Sequence, residues 1–250
     1  MMDSGTRERR FKVEVDDGRA VSAIAQGPAG GAAGGGTACL LAHGAGSDMH
    51  SPFLRHVCRF LARETPTVRF NFLYKELGRR APDPTARLEA TYRAVVAALA
   101  SRRELRPRRL VAGGKSMGGR IATHLAAAGE SFAGLVLLGY PLHPAGHPER
   151  LRDAHLPRVD CPMLFVQGTR DRLCDLDRLG RVLPRLAAPH TLHVIEGADH
   201  SFRVPRRSGR TEKEVLDEIG AVVAGWIASV VRTSPAGAGN PRSVPRRTSP

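Results

Sequence analysis

Several things are missing from this chain, and each absence closes a door. No stretch of its 250 residues approaches the roughly 18 apolar residues of a membrane-spanning helix. The opening MMDSGTRERRF has no apolar run that could act as a signal sequence. Secretion and membrane insertion are therefore not expected, and no membrane partner is expected either. The four cysteines, Cys39, Cys58, Cys161 and Cys174, include no C-x-x-C pair, and three lie in apolar contexts suited to buried thiols. A cytoplasmic, reducing setting follows as the expectation. Lysine is scarce: only Lys12, Lys75, Lys115 and Lys213 occur, so arginine carries the formal charge of +14. Those arginines are spread over both termini, over 102–109 and over 206–210, with no aromatic RNA-binding signature and no zinc-finger spacing beside them. No nucleic-acid partner is expected, and the arginine, alanine, glycine and proline excess reads as GC-rich coding.

What remains is globular, with 42% hydrophobic and 25% charged residues. The divisions read as a flexible N-terminus at 1–10, one folded domain at 11–231 and a disordered, basic, proline-rich tail at 232–250. A glycine-rich stretch at 27–36 reads as a loop between strands. FKVEV and AVSAIA flank Asp17-Gly18 as a hairpin. Short apolar runs follow at TACLLAH (37–43), TVRFNF (67–72), RLVAG (109–113), GLVLLG (134–139), MLFVQG (163–168) and TLHVI (191–195). Their lack of alternation predicts strands buried on both faces. Helical stripes fill the gaps: Ser51-Pro52 then Phe53, Leu54, Val57, Phe60 and Leu61; Leu88 to Leu99; and a capping box at Thr211 to Glu214 leading into Val215 to Val230. Strands alternating with helices predict an α/β fold with a mostly parallel, eight-stranded sheet and a working site at the carboxyl ends of the strands.

The run AGGKSMGGR (112–120) admits two chemistries. A phosphate-binding P-loop ending at Gly114-Lys115-Ser116 needs a glycine five residues before Gly114, and that position is Arg109. The alternative is G-x-S-x-G, with Ser116 as nucleophile on a strand–turn–helix elbow and Gly114 and Gly118 letting strand and helix pack closely. RLVAG before it and Met117–Ala127 after it supply that context. A serine nucleophile needs a base, an orienting acid and oxyanion donors. QGTRD places Asp171 after the next-to-last strand, and EGADHSF places His200 after the last, in the chain order Ser, acid, His. Asp175, Asp177 and Asp199 are weaker acids; His193 sits within a strand pattern and His124 on the helix after the elbow. Oxyanion donors are expected from the amides of Met117 and of Ala45 in LLAHGAG, with His43 read as a structural loop residue.

From about residue 11 to 231 the chain resembles the α/β-hydrolase superfamily. The blocks LAHGAGSDMHSPFL, VRFNFLYKE, GGKSMGGR, GLVLLGYPLHPAGHPERLR, VQGTRD, GADHSF and SGRT are similar to a small branch shared by bacterial predicted hydrolases, a testis-expressed mammalian protein and a subunit of the nonspecific-lethal histone acetyltransferase complex. Dienelactone hydrolases are similar too, with a cysteine where this chain has Ser116. The resemblance implies a Ser116–His200–Asp171 serine hydrolase. Only 22 positions separate Tyr140 from Pro162, too few for a helical lid, so the expected substrate is a small soluble ester or thioester. Tyr140 to His143 are expected to line one pocket wall. Lys115 either joins that wall or is solvated surface. This chemistry calls for no metal or cofactor. The alternative is a non-catalytic interaction module on the same scaffold.

Overall fold

In a computed structural model, which describes residues 6–16, 18–28, 36–102 and 105–233, the expected hairpin is β1 (Thr6–Asp16) paired antiparallel with β2 (Arg19–Pro28). Then come β3 (Thr37–Ala42), β4 (Thr67–Phe70), β5 (Arg109–Lys115), β6 (Gly134–Leu138), β7 (Met163–Gly168) and β8 (His190–Ile195). They form one eight-stranded sheet in the order β1-β2-β4-β3-β5-β6-β7-β8, parallel from β4 to β8.

The unalternating runs are the buried strands: every residue of β4, β6 and β7 is buried. Both faces are covered. On one, α1 (Pro52–Leu61) and α6 (Glu212–Thr233) pack Leu54, Val57, Ile219, Val223 and Trp226 against Leu41, Val136 and Leu164. On the other, α3 (Thr85–Ser101), α4 (Met117–Ala127) and α5 (Leu176–Val182) pack Leu88, Val95, Ile121, Leu125 and Leu179 against Leu40, Leu137 and Phe165. Each fully buried aliphatic side chain of this kind stabilises the fold by about 1.5–3 kcal/mol. The short α2 (Leu73–Glu76) follows β4.

Local signals set the helix starts. Ser51 Oγ accepts from the Leu54 amide at 3.4 Å, with Pro52 in the first turn of α1. Thr211 and Glu214 form the reciprocal box at the start of α6, the Glu214 amide donating to Thr211 Oγ1 at 3.2 Å and the Thr211 amide to Glu214 Oε2 at 2.7 Å.

Three boundaries differ from expectation. β1 starts at Thr6, so residues 6–10 are strand and the domain begins earlier than residue 11. All five are polar and four are exposed, as an edge strand allows by leaving its side chains in water. At the other end α6 continues through Thr233; the rest of the proposed tail, like residues 29–35 of the glycine-rich loop and Asp17 of the hairpin turn, lies outside the described residues. Finally, three of the six residues of β8 are exposed, Val194 among them at 38%. Among the described residues it pairs only with β7, so burial on both faces is not imposed on it.

Candidate active site

β5 ends at Lys115 and α4 begins at Met117, which leaves Ser116 alone in the turn at φ 50°, ψ −112°. A non-glycine residue there costs about 1–3 kcal/mol and persists only where its surroundings impose it. Here the imposing surface is the backbone of Ala42 at the end of β3. A Cβ on Gly114 would stand 2.3 Å from the Ala42 carbonyl oxygen, and one on Gly118 would stand 2.4 Å from the same atom. Both glycines are therefore required by close packing of backbone on backbone. Tyr92 of α3, fully buried, donates its one hydroxyl proton to the Gly113 carbonyl at 2.9 Å, with the Leu40 carbonyl 3.2 Å away, and accepts from the Gly113 amide at 2.9 Å.

Two loops bring the remaining groups to the serine. After β7, Asp171 closes a turn on Gly168, its amide donating to that carbonyl at 3.2 Å, and its carboxylate is almost wholly enclosed. The Leu173 amide donates to Asp171 Oδ1 at 2.8 Å. After β8, His200 presents Nδ1 to Asp171 Oδ2 at 2.8 Å and Nε2 to Ser116 Oγ at 2.9 Å. A carboxylate accepts only, so Nδ1 carries the proton and Nε2 is free to accept from the serine hydroxyl. Ser116, His200 and Asp171, far apart in sequence, thus stand in one hydrogen-bonded line.

Lys115 is half-buried and is not solvated surface. Its Nζ turns inward to 3.4 Å from His200 Nε2 and lies 5.4 Å from the ring centre of Phe202. Burial pushes this ammonium down to about 8, against the opposing pull of the Asp171 and Asp199 carboxylates. Phe202, at φ 61° and fully buried, stacks on Phe53 of α1 at 5.4 Å. Neither role was read from GADHSF; an aromatic two residues after a candidate base was the available signal.

The loop after β3 supplies the other side. His43 is buried, and the Phe72 amide donates to its Nε2 at 3.1 Å, so Nδ1–H must be the donor to the Gly44 carbonyl at 2.8 Å. Burial pushes His43 down to about 4, outweighing the Gly44 carbonyl and Asp48. It is a neutral strut, as expected of a structural residue. Asn71 Oδ1 accepts from the Met49 amide at 2.9 Å, and its Nδ2 donates to Glu76 Oε1 at 2.9 Å, which accounts for part of the VRFNFLYKE block. Gly44 packs on Ser116, a Cβ there falling 3.5 Å from the serine Cβ. Ala45 follows it directly, and the Met117 amide opens α4, where helix geometry leaves amides without partners.

Tyr140 requires a correction. It is fully buried, donates its hydroxyl to the Arg152 carbonyl at 2.7 Å and packs on Phe165, so it is core and not pocket wall. His143 is buried too, its Nε2 accepting from the Asp175 amide at 3.0 Å. The rejected candidates are engaged elsewhere. Asp175 caps α5, Asp199 accepts from the Ser201 and Arg203 amides within its own turn, His193 pairs with Glu218, and His124 with Glu89. All four cysteines are free and buried, and burial pushes Cys58 and Cys161 up to about 12. Among the described residues no group of three or more His, Cys, Asp or Glu is arranged to hold a metal ion, and no helix is long and apolar enough to cross a membrane.

Comparison with known proteins agrees with this architecture. The family described as alpha/beta hydrolase domain matches residues 35–228. A dienelactone hydrolase from Anabaena variabilis superimposes with TM-score 0.68 at 21% identity, over 90% of this chain and 98% of that one. A serine hydrolase without lid from Xanthomonas campestris gives 0.69 at 20%, over 91% and 97%. A cold-adapted esterase from an Arctic intertidal metagenomic library gives 0.62 at 23%, over 86% and 94%. At these identities the structural likeness carries the fold.

Proposed function

Since the chain belongs to the alpha/beta hydrolase domain family, we propose that it is a serine hydrolase cleaving a carboxylic ester or related acyl bond of a small soluble substrate. The observation that carries this reading is the line from Ser116 Oγ to His200 Nε2 at 2.9 Å and from His200 Nδ1 to Asp171 at 2.8 Å. Ser116 attacks the carbonyl carbon while its proton passes to His200; Asp171 holds the ring and steadies the imidazolium. The carbonyl oxygen, now negative, is held by the Met117 and Ala45 amides, each such donor being worth about 2.7–4 kcal/mol in the transition state. His200 returns the proton to the leaving alcohol or thiol, and water then repeats the sequence on the acyl-serine.

Strain supports the same reading, since a turn held at φ 50° aims Ser116 Oγ at the rim and gives a mere scaffold no benefit. The absence of a helical insertion between Tyr140 and Pro162, where the described structure has only a 3₁₀ turn at Leu156–Arg158, favours a small substrate over a long-chain lipid. Dienelactone hydrolase and esterase activities among the structural neighbours point to ester chemistry.

The test is labelling with a fluorophosphonate followed by intact mass. One adduct is expected on the wild type and none on Ser116→Ala. A folded wild type that takes no adduct overturns the assignment and leaves the non-catalytic module.

A further inference from the structure

A polar hollow of about 320 Å³ opens beside α1, lined by strands and helix and by none of Ser116, His200 and Asp171. Strand register builds it. Arg10 of β1 lies opposite Ile24 of β2, and Ile24 opposite Arg69 of β4, so the three share one row; Glu8 lies opposite Gln26 in a neighbouring row. Arg55 and Arg59, one turn apart on α1, close the side.

Arg69 is the fixed floor. Its side chain is 3% exposed, with Nη2 donating to Glu8 Oε1 at 2.7 Å and Nη1 to Gln26 Oε1 at 3.1 Å. Arg10, Arg55 and Arg59 stand exposed at the mouth. Glu8, the only carboxylate among the described lining residues, is already engaged by Arg69, whose hydrogen bond holds it below the usual carboxylate range. Four guanidinium groups against one carboxylate leave three positive charges in excess around the cavity, 4 − 1 = 3. Like charges gathered around a polar hollow repel one another, and an anion within it reverses that repulsion. Guanidinium forks match phosphate oxygens in paired hydrogen bonds, and guanidinium stays charged at any pH the fold survives.

We propose that this cavity binds the phosphate or pyrophosphate group of a small phosphorylated molecule, independently of Ser116. The short, half-open hollow and the fixed floor suit a compact group better than a nucleic-acid strand, which needs a continuous charged track.

The experiment is calorimetric titration of the full chain with inorganic pyrophosphate at physiological salt, with three proteins compared. These are the wild type, the pair Arg55→Gln/Arg59→Gln, and a control pair Arg80→Gln/Arg181→Gln, which removes the same charge from exposed positions outside the cavity. Saturable single-site binding is expected in the wild type, weakened about tenfold or more in the first pair and less than about twofold in the control. Absence of saturable binding, or equal weakening in both pairs, overturns the proposal, because diffuse attraction to a basic protein would explain it. An RNA oligomer or anionic vesicle that outcompetes pyrophosphate through the same two arginines also overturns it, assigning the surface to a polymer or membrane. Unfolding midpoints of the variants guard against loss of fold.

Discussion

Ser116 and His200 arrive at their meeting point from regions built differently. At the elbow, between β3, β5 and β6, covalent geometry and backbone packing leave almost no slack: two missing side chains face one carbonyl, and the serine is held in strain. At the rim of β7 and β8 the partners are carried by loops, and β8 is an exposed edge paired on one side only. There the hydrogen bonds of Asp171 with His200 and with the Leu173 amide act beside a second close backbone contact, a Cβ on Gly168 falling 2.2 Å from the Ala198 carbonyl oxygen. The comparison teaches that Ser116 is held in its strained turn by backbone packing, whereas His200 and Asp171 depend also on the hydrogen bond between them. Filling a glycine position at the elbow should therefore cost stability and reactivity together, and removing the polar partner at the rim mainly reactivity.

The largest expected effect is on the rim side. Asp171→Asn removes the charge that orients and stabilises the His200 ring, so turnover of a reporter ester should fall about 10⁴-fold. Its thermal midpoint should stay within a few degrees of wild type. Collapse of the fold would show that the rim, too, is structural.

Acid should attack the elbow side first. The folded pKa of His43, about 4, lies below its ordinary value of 6.5. The stability it contributes is thus present above 6.5 and lost as pH falls toward 4, by up to an order of 3 kcal/mol. Urea unfolding of wild type and His43→Gln across this window measures it; an unchanged pH slope in the variant would remove His43 as the cause.

Next comes Gly118→Ala, which forces a Cβ against the Ala42 carbonyl. Unfolding free energy should drop about 1–3 kcal/mol, and fluorophosphonate labelling should slow in the same protein. Loss of labelling with unchanged stability would break the proposed coupling. A smaller sharpening compares two inactive variants. Ser116→Gly relieves the φ 50° strain and Ser116→Ala does not, so the glycine variant should be the more stable by about 1 kcal/mol.

The smallest effect concerns Lys115, where the two regions touch. Below pH about 8 its ammonium, 3.4 Å from His200 Nε2, opposes the imidazolium that forms during attack. Above that pH the neutral amine no longer does. The Asp171 and Asp199 carboxylates moderate the effect. The wild-type rate should rise by a few-fold through pH 8, on the scale of a screened charge pair, and Lys115→Met should lack that rise. Identical pH profiles would refute the coupling.

Much of this was legible in the chain. Gly114, Ser116 and Gly118 are adjacent, so their spacing is a local property, and the buried strands announce themselves as unalternating apolar runs. Asp171 and His200 were legible through chain order, since each follows a strand end. Tyr140 was not, because a tyrosine after a strand can face a cleft or the core, and only the position of the Arg152 carbonyl settles its direction. The sequence left Lys115 open for the same reason: nothing next to it says that Phe202 and His200 will stand against it.

The arginine cavity marks the division most clearly. Composition showed an arginine excess and its scatter along the chain, and scatter argued against a nucleic-acid footprint. Pairing of β1 with β2 and β2 with β4, with α1 laid alongside, gathers four of those arginines around one hollow. The sequence by itself determined the strand–helix alternation, the elbow and the order of its partners, because these rest on neighbouring residues and on periodicity. Only the tertiary structure decided which side chains meet across strands, because register and helix placement bring together residues that no local pattern connects.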